Sequence, residues 1–185
     1  MNYLVPAQIA AQVASLFVFS TAAIWYAAPR LGLRGRAEAL MPLLWVHVFR
    51  FLALQSFRAQ ADGLPISDAH LMNLVLGDVA GAAIAMAALY ALRLRSRAGV
   101  WLSWLLVAEF VYDTTNNLRA GAGQHLMGMA SGISWLVISV YVPLLLVTTV
   151  LLAWQLVARR GESLGRREPR APREPRDLNR AGQSA

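Results

Sequence analysis

The sequence predicts an all-α membrane protein, an integral membrane bundle of five transmembrane helices. Of its 185 residues, 57% are hydrophobic and only 15% are charged, whereas a soluble domain carries about a quarter charged residues. The apolar residues form five blocks of roughly 20, the length that crosses a hydrocarbon core about 30 Å thick. Because backbone amides in lipid must be satisfied within their own segment, each block is predicted to be a helix.

The five helices are expected to follow one another in a single transmembrane domain, residues 1–158. The first block lacks a positively charged start and is longer than a signal-peptide core, so we expect it to stay uncleaved. Pro143 lies inside the fifth block and should kink that helix or free a carbonyl. The predicted helices cover about residues 3–28, 37–57, 71–92, 98–118 and 129–157.

Arginine positions predict the orientation of the bundle, because short cytoplasmic loops collect positive charge. Arginines concentrate in the first and third connections and after the fifth block, at Arg30, Arg34, Arg36, Arg93, Arg95, Arg97, Arg159, Arg160, Arg166 and Arg167. The second and fourth connections carry only Arg58 and Arg119. The N-terminus is therefore predicted outside and the C-terminus inside. Interfacial aromatic residues near the inner ends agree, at Trp25, Tyr26, Tyr90, Trp101, Trp104 and Trp154.

Residues 159–185 are predicted to form a disordered, Arg/Pro-rich cytoplasmic tail. The stretch from Arg166 to Asp177 contains three prolines and no bulky apolar residue, so it cannot form a packed core. Eight of the 17 basic residues lie after Ala158. A basic segment beside a membrane most simply faces anionic lipid headgroups. This position argues against nucleic acid as the partner, despite a net charge of +7.

Ionisable residues inside the predicted helices are costly in lipid and therefore point to a site. They are His47, Arg50, Asp78, Glu109 and Asp113. With each block's centre taken as the midplane, all five fall in one layer, between the centre and roughly 8 Å toward the outside. His47 and Arg50, three residues apart, share one face of the second helix.

A second polar face lies on the fourth helix, where Glu109, Asp113 and Asn117 follow one another at intervals of four. Such residues are neighbours on a helix surface. Gly77 and Gly81 beside Asp78 would allow the third helix to approach this face closely. We therefore predict one ligand- or ion-binding site that comprises these residues together with His47 and Arg50.

The charge balance within this predicted site favours a titratable or coordinating role for its acidic residues. Three acids face one arginine, so at least one acid must be protonated, pair with His47 or hold a cation. Arg50 would supply the fixed positive charge, and His47 would be a proton partner. Gln8 and Gln12, near the outer end of the first helix, are expected to join helices by hydrogen bonds.

The leading functional hypothesis is binding or transport of a proton, a cation or a small polar solute through a pocket open to the outer side. The alternative is a structural or accessory membrane subunit whose buried charges only lock helix packing. A membrane-embedded metalloenzyme, with His70 or His125 near the outer rim, is a third hypothesis. The spacing of the candidate metal ligands matches no helical metal motif, and Arg50 would repel a cation.

Enzymatic chemistry has little support in the sequence. There is no cysteine, and no serine or threonine lies in a recognisable nucleophile elbow. We therefore expect no catalytic residue, no cofactor and no metal. The expected location is the plasma membrane, as a multi-pass protein in contact with the bilayer. Five helices are few for a transporter, and their odd number excludes a simple two-fold duplication, so transport would need a homo-oligomer or a membrane partner.

Overall fold

The computed structural model describes residues 3–164 and confirms the all-α class. Four helices are long and apolar enough to cross a membrane. A further helix has the length, 26 residues, but Glu109 and Asp113 lower its hydropathy and it falls outside that set. In chain order the helices are α1 (Leu4–Gly32), α2 (Arg36–Ala61), α3 (Asp68–Arg93), α4 (Ala98–Gly123) and α5 (Gly132–Ala158).

The helix ends differ from those predicted from hydropathy. α1 continues to Gly32 and α4 to Gly123, where residues 28 and 118 were expected, and α2 and α3 are longer as well. Helical backbone continues through polar residues that a hydropathy criterion leaves out. α5, in contrast, begins at Gly132 and not at 129, because Gly128 adopts a positive φ of 79° and Ser131 is extended, with φ −135° and ψ 165°, and both lie outside the right-handed helical region.

Three helices contain an irregular segment. α1 has a π-helical turn at Ala23–Ala27, α2 has a 3₁₀ segment at Phe49–Leu54, and α5 has a π-helical turn at Val137–Tyr141. Pro143 lies two residues after the turn in α5. Since proline has no N–H, it removes one hydrogen bond from the helix at this point, in line with the predicted local break. Irregular turns of this kind often mark functional sites in helices.

We call the inner end of the bundle the end that contains the α1–α2 and α3–α4 connections and the C-terminus of α5. The inner half is filled by leucine. Six leucine side chains from α2, α3, α4 and α5 have no solvent exposure: Leu40, Leu44, Leu92, Leu106, Leu152 and Leu156. A much smaller apolar cluster, Ile66, Leu71 and Val75, lies at the outer end. The ionisable residues His47, Arg50, Asp78, Glu109 and Asp113, which we call the charged layer, lie between these two clusters.

The outside of the bundle is apolar. Phe17, Trp25 and Val150 are each more than two-thirds exposed, and large apolar side chains are exposed along all five helices. α1 is peripheral, since few of its residues are buried, and it packs mainly on α5. A monomeric soluble protein rarely exposes apolar surface on this scale, whereas a surface that contacts lipid does.

Part of the predicted tail lies against the inner end. Arg159 is buried and donates hydrogen bonds to the carbonyl oxygens of Leu31 and Arg34, each at 2.6 Å. Arg159 therefore caps the C-terminal end of α1, where carbonyl groups lack helical partners, at Leu31 in the last turn and at Arg34 just beyond the helix. Residues 165–185, to which most of the predicted disorder applies, lie outside the described residues.

Candidate functional site

Arg50 lies at the centre of the site. Its side chain is buried inside the bundle, and the residue is 1% exposed. It belongs to the 3₁₀ segment of α2. One turn earlier, the carbonyl oxygen of Val46 accepts a hydrogen bond from the Tyr141 hydroxyl of α5, at 2.8 Å. The irregular turn of α5 therefore contacts α2 just before the 3₁₀ segment that contains Arg50.

Three carboxylates from two other helices surround the Arg50 guanidinium. Nε donates to Asp78 Oδ1 of α3 at 2.7 Å. Both terminal nitrogens donate to Glu109 of α4, at 2.5 and 3.0 Å. Nη2 also donates to Asp113 Oδ2, at 3.0 Å. The sequence prediction that Arg50, Asp78, Glu109 and Asp113 converge is thus matched by the geometry.

These contacts occupy most of the donors that Arg50 possesses. A guanidinium has five N–H groups, and Arg50 makes four hydrogen bonds to the carboxylates. The guanidinium also lies over the Phe110 ring, 5.4 Å from its centroid, where a cation is attracted to the ring face. Arg50 is therefore held in one position, and it retains little capacity to bind an anion from outside.

The two glycines of α3 create the space for this arrangement. A Cβ atom at Gly81 would overlap Arg50 Nη1 and lie 2.8 Å from Glu109 Oε2, and one at Gly77 would overlap the Asp113 carboxylate. Small residues were expected to bring α3 close to its neighbours, and α3 does pack extensively on α4 and α2. The structure adds that the space beside the glycines is filled by charged side chains.

His47 packs against α5 and Phe110 and forms no ion pair with the three carboxylates. Its ring is fully buried, with an edge against Phe110. Nε2 is 3.4 Å from the hydroxyls of both Thr148 and Thr149 of α5. Each hydroxyl donates to a carbonyl of its own helix, so each can accept from an Nε2–H. We assign this neutral tautomer from the network, and Nδ1 then has no partner within residues 3–164.

A cavity of about 280 Å³ adjoins the ion pairs on their outer side. All five helices contribute to its wall, which is largely apolar, for example at Leu74, Ile138 and Leu145. Four of the six predicted site residues line it, namely Arg50, Asp78, Asp113 and Asn117. Glu109 and His47 do not. The cavity extends to the α2–α3 and α4–α5 connections, since Ile66 and Met127 also line it.

Neutral polar side chains join the helices around this cavity. Gln8 of α1 accepts a hydrogen bond from the Gly128 amide at 2.9 Å, and Gln12 donates to the Ile138 carbonyl at 3.3 Å. The role expected of these glutamines, to join helices, is confirmed for Gln12, whereas Gln8 joins α1 to the α4–α5 connection. Ser134 of α5 donates to Gln55 of α2 at 2.9 Å.

Sequence reasoning missed Gln55, Ser134 and Tyr141 as members of the cavity wall. Each is a neutral polar residue in a largely apolar block, and their positions show no helical periodicity. Tyr141 lies two residues before Pro143, and this closeness to the predicted break was the one available indication that this part of α5 is irregular.

The residues that the structure describes contain no group of three or more His, Asp or Glu side chains arranged to hold a metal ion. His70 lines the cavity, whereas His125 does not. Arg50 stands between the three acids, where a metal would otherwise have to bind.

The fold and site define a helical protein with four candidate membrane spans and a buried arginine in a network of ion pairs. Over residues 7–157 the chain matches a protein family described as Domain of unknown function (DUF8737). The match covers nearly the whole helical bundle, so the chain belongs to this family. No similar protein was found among curated proteins, and none among solved structures.

Substitution of Gly81 by alanine should destabilise the bundle. The added Cβ would displace Arg50 from its carboxylates, and overpacking of this kind costs about 1–3 kcal/mol. The thermal midpoint of the purified protein in detergent should fall by several degrees. Gly121→Ala is the matched control, because Gly121 is helical and its Cβ would meet nothing within 4 Å. Equal midpoints for the two variants would show that the close approach at Gly81 is not required.

Proposed function

We propose that this protein is a five-helix protein of the plasma membrane that binds a proton or a small cation beside Arg50. The observation that carries the proposal is the excess of acid in a buried layer. Three carboxylates contact one guanidinium, and the side chains of all three acids are less than one-quarter exposed.

The charge balance of the site supports a cationic ligand. With all three acids ionised, Arg50 leaves two negative charges uncompensated, and uncompensated charge in a low-dielectric interior is strongly unfavourable. His47 does not act as the missing counter-charge, because its ring contacts threonine hydroxyls of α5 and pairs with none of the three acids. A proton or a cation from the cavity would reduce the imbalance. An anionic ligand would increase the excess negative charge, and few hydrogen-bond donors of Arg50 would be free to bind it.

The acids differ in how fully Arg50 engages them, which suggests different roles. Glu109 uses both oxygens and lies outside the cavity wall. Asp78 and Asp113 each use one oxygen and line the cavity. We assign Glu109 the task of holding Arg50. Asp78 and Asp113 are the groups that would take up the proton or coordinate the cation, with Asn117 as a neutral oxygen ligand one turn farther out.

The position of α4 in the membrane is part of the proposal. A helix of 26 residues is about 39 Å long, which suffices to cross a bilayer, and its two acids are turned toward Arg50. Charged residues in transmembrane helices normally face the bundle interior in this way. With the arginine-rich connections on the cytoplasmic side, the N-terminus lies outside, and the cavity faces the outer surface.

Binding is supported more directly than passage through the protein. The leucine core closes the inner half of the bundle below the charged layer, so transport requires this core to open. A second copy of the chain or a membrane partner would provide the additional helices for such a pathway.

A structural role is the second candidate, and one observation favours it. The ion pairs of Arg50 connect α2, α3 and α4 through a single side chain, which would fix the arrangement of three helices whether or not anything binds. In that case the protein would be an accessory subunit, and replacement of the acids would affect folding before any other property.

Asp113→Asn separates these two candidates. The amide is nearly isosteric and retains one contact with Arg50, so folding should survive. If Asp113 takes up a proton or cation, the wild-type thermal midpoint should rise with cation concentration or change with pH, and the variant should lose most of that response. A ligand at a hundredfold excess over its Kd stabilises the folded state by about 2.7 kcal/mol. The probes are Na⁺, K⁺, Mg²⁺ and Ca²⁺ at constant ionic strength, followed by a pH series.

The control is Asp62→Asn, which removes an exposed acid paired with Arg58 outside the cavity. It should leave the response unchanged. A wild-type protein that responds to no cation and no change of pH, with both variants folded, would remove the support for the binding function. Loss of folded protein in Asp113→Asn alone would favour the structural role.

The orientation has its own test. A reporter that is active only in the cytoplasm should give signal when fused after Ala158 or inserted near Arg34 or Arg95, because these positions lie in the arginine-rich segments that are expected on the cytoplasmic side. Insertions near Gly63 and His125 should be silent and serve as the controls. Signal from those two sites, with silence at the others, would reverse the orientation and direct the cavity to the cytoplasm.

A further inference from the structure

A second cavity, distant from Arg50, lies at the inner end of the bundle. It has a volume of about 710 Å³. Four arginines line it, Arg36 at the start of α2, Arg95 and Arg97 in the α3–α4 connection, and Arg160 after α5. Glu162 is the one acid among the described lining residues. This cavity, which we call the inner basic cavity, therefore carries an excess of positive charge.

Two of the four arginines have structural partners. Arg36 donates to the carbonyl oxygens of Arg160 and Glu162 at 3.3 Å. Arg95 donates to the Leu164 carbonyl and pairs with Glu38, at 2.9 and 3.1 Å. These contacts hold residues 160–164 against α2 and α3 and so form one wall of the inner basic cavity.

The other two arginines have no structural partner among the described residues. Within residues 3–164, the guanidinium groups of Arg97 and Arg160 make no hydrogen bond and no ion pair. Guanidinium groups gathered around one cavity repel one another, and an anion between them would be bound by charge-assisted, bidentate hydrogen bonds. The chemistry of the site therefore selects a phosphate group.

The position of this cavity indicates the source of the phosphate. Arg36 is the first residue of one candidate membrane span, and Arg97 follows the end of another at Arg93. The ends of such spans lie at the level of lipid headgroups. Trp101, which also lines the cavity, is 75% exposed, as is usual for tryptophan at a membrane interface. One turn along α4, the exposed Leu105 extends this surface toward the hydrocarbon.

We propose that the inner basic cavity binds the phosphate headgroup of an anionic glycerophospholipid, with Arg97 and Arg160 as the phosphate ligands. The acyl chains would lie along the exposed face of α4 that begins at Trp101. This proposal is independent of the cation site, since the two cavities share no lining residue. It differs from general attraction of the basic tail to membranes, because it names a folded site.

The test is lipid retention by the full-length protein in a neutral detergent, measured by native mass spectrometry. Phosphatidylglycerol is the anionic probe and phosphatidylcholine the neutral one. Arg97→Gln combined with Arg160→Gln should weaken phosphatidylglycerol binding by about tenfold or more, since each basic group near a membrane surface contributes about 1 kcal/mol. Phosphatidylcholine binding should be weak throughout. The matched control is Arg58→Gln combined with Arg119→Gln, which removes the same charge at the outer end.

Each outcome decides the proposal. Loss in the Arg97/Arg160 variant alone supports it, whereas equal retention in both double variants, or equal loss in both, overturns it. If inorganic phosphate displaces phosphatidylglycerol at equal concentration, the cavity is a site for free phosphate instead. Thermal midpoints verify that the variants are folded. If the double variant does not fold, the single Arg97→Gln variant replaces it, with Arg58→Gln as its control.

Discussion

A buried arginine in the middle of an apolar helix bundle must be neutralised, and this requirement organises the molecule. The Arg50 side chain has no solvent exposure, so its guanidinium has to meet carboxylates from neighbouring helices. Those carboxylates need their own space, which the glycines of α3 supply. An isolated charge at this depth is strongly unfavourable. The packing of α2, α3 and α4 at the charged layer is therefore determined as much by electrostatics as by side-chain shape.

The charged layer also divides the bundle into two parts with different properties. On the inner side, fully buried leucines form a continuous core that excludes water. On the outer side, neutral polar groups and irregular helical turns surround a cavity. Ion pairs at the boundary are thus dry on one face and accessible from the cavity on the other. An acid at such a boundary can exchange a proton or a cation while the counter-charge stays in place, which is the physical basis of the proposed binding function.

The sequence was sufficient to predict the helices and the residues of the charged layer, because both follow from strong constraints. Lipid requires each apolar block to be helical, and buried charges require partners, so Arg50 and the three acids could be brought together from their depths alone. The partners of His47 could not be predicted, since nothing in the spacing indicates that its ring meets Thr148 and Thr149. The cavity wall was equally hidden, because it depends on irregular turns whose positions hydropathy does not encode.

The helix ends and the contacts at the inner end of the bundle were also not predictable from hydropathy and charge. Hydropathy predicted an apolar block, whereas the helix continues until the backbone reaches a break such as Gly63, with φ of 101°. Arg159 was assigned to a tail, yet it satisfies carbonyl groups at the end of α1. Charge counts place arginines on one side of a membrane, but they do not distinguish an arginine that completes the fold from one that is available to a ligand.

The central claim is that Arg50 and its carboxylates form one energetically coupled unit, and a double-mutant cycle tests it most directly. Stability in detergent would be measured for Arg50→Met, Glu109→Gln, the double variant and the wild type, with Arg58 and Asp62 as an exposed control pair. We expect Arg50→Met to be strongly destabilising, and the double variant to be more stable than the sum of the single effects by about 1–3 kcal/mol. The exposed pair should show a coupling below about 1 kcal/mol. The account would be contradicted if the effects of the Arg50 and Glu109 substitutions were additive, with a coupling free energy no larger than that of the control pair.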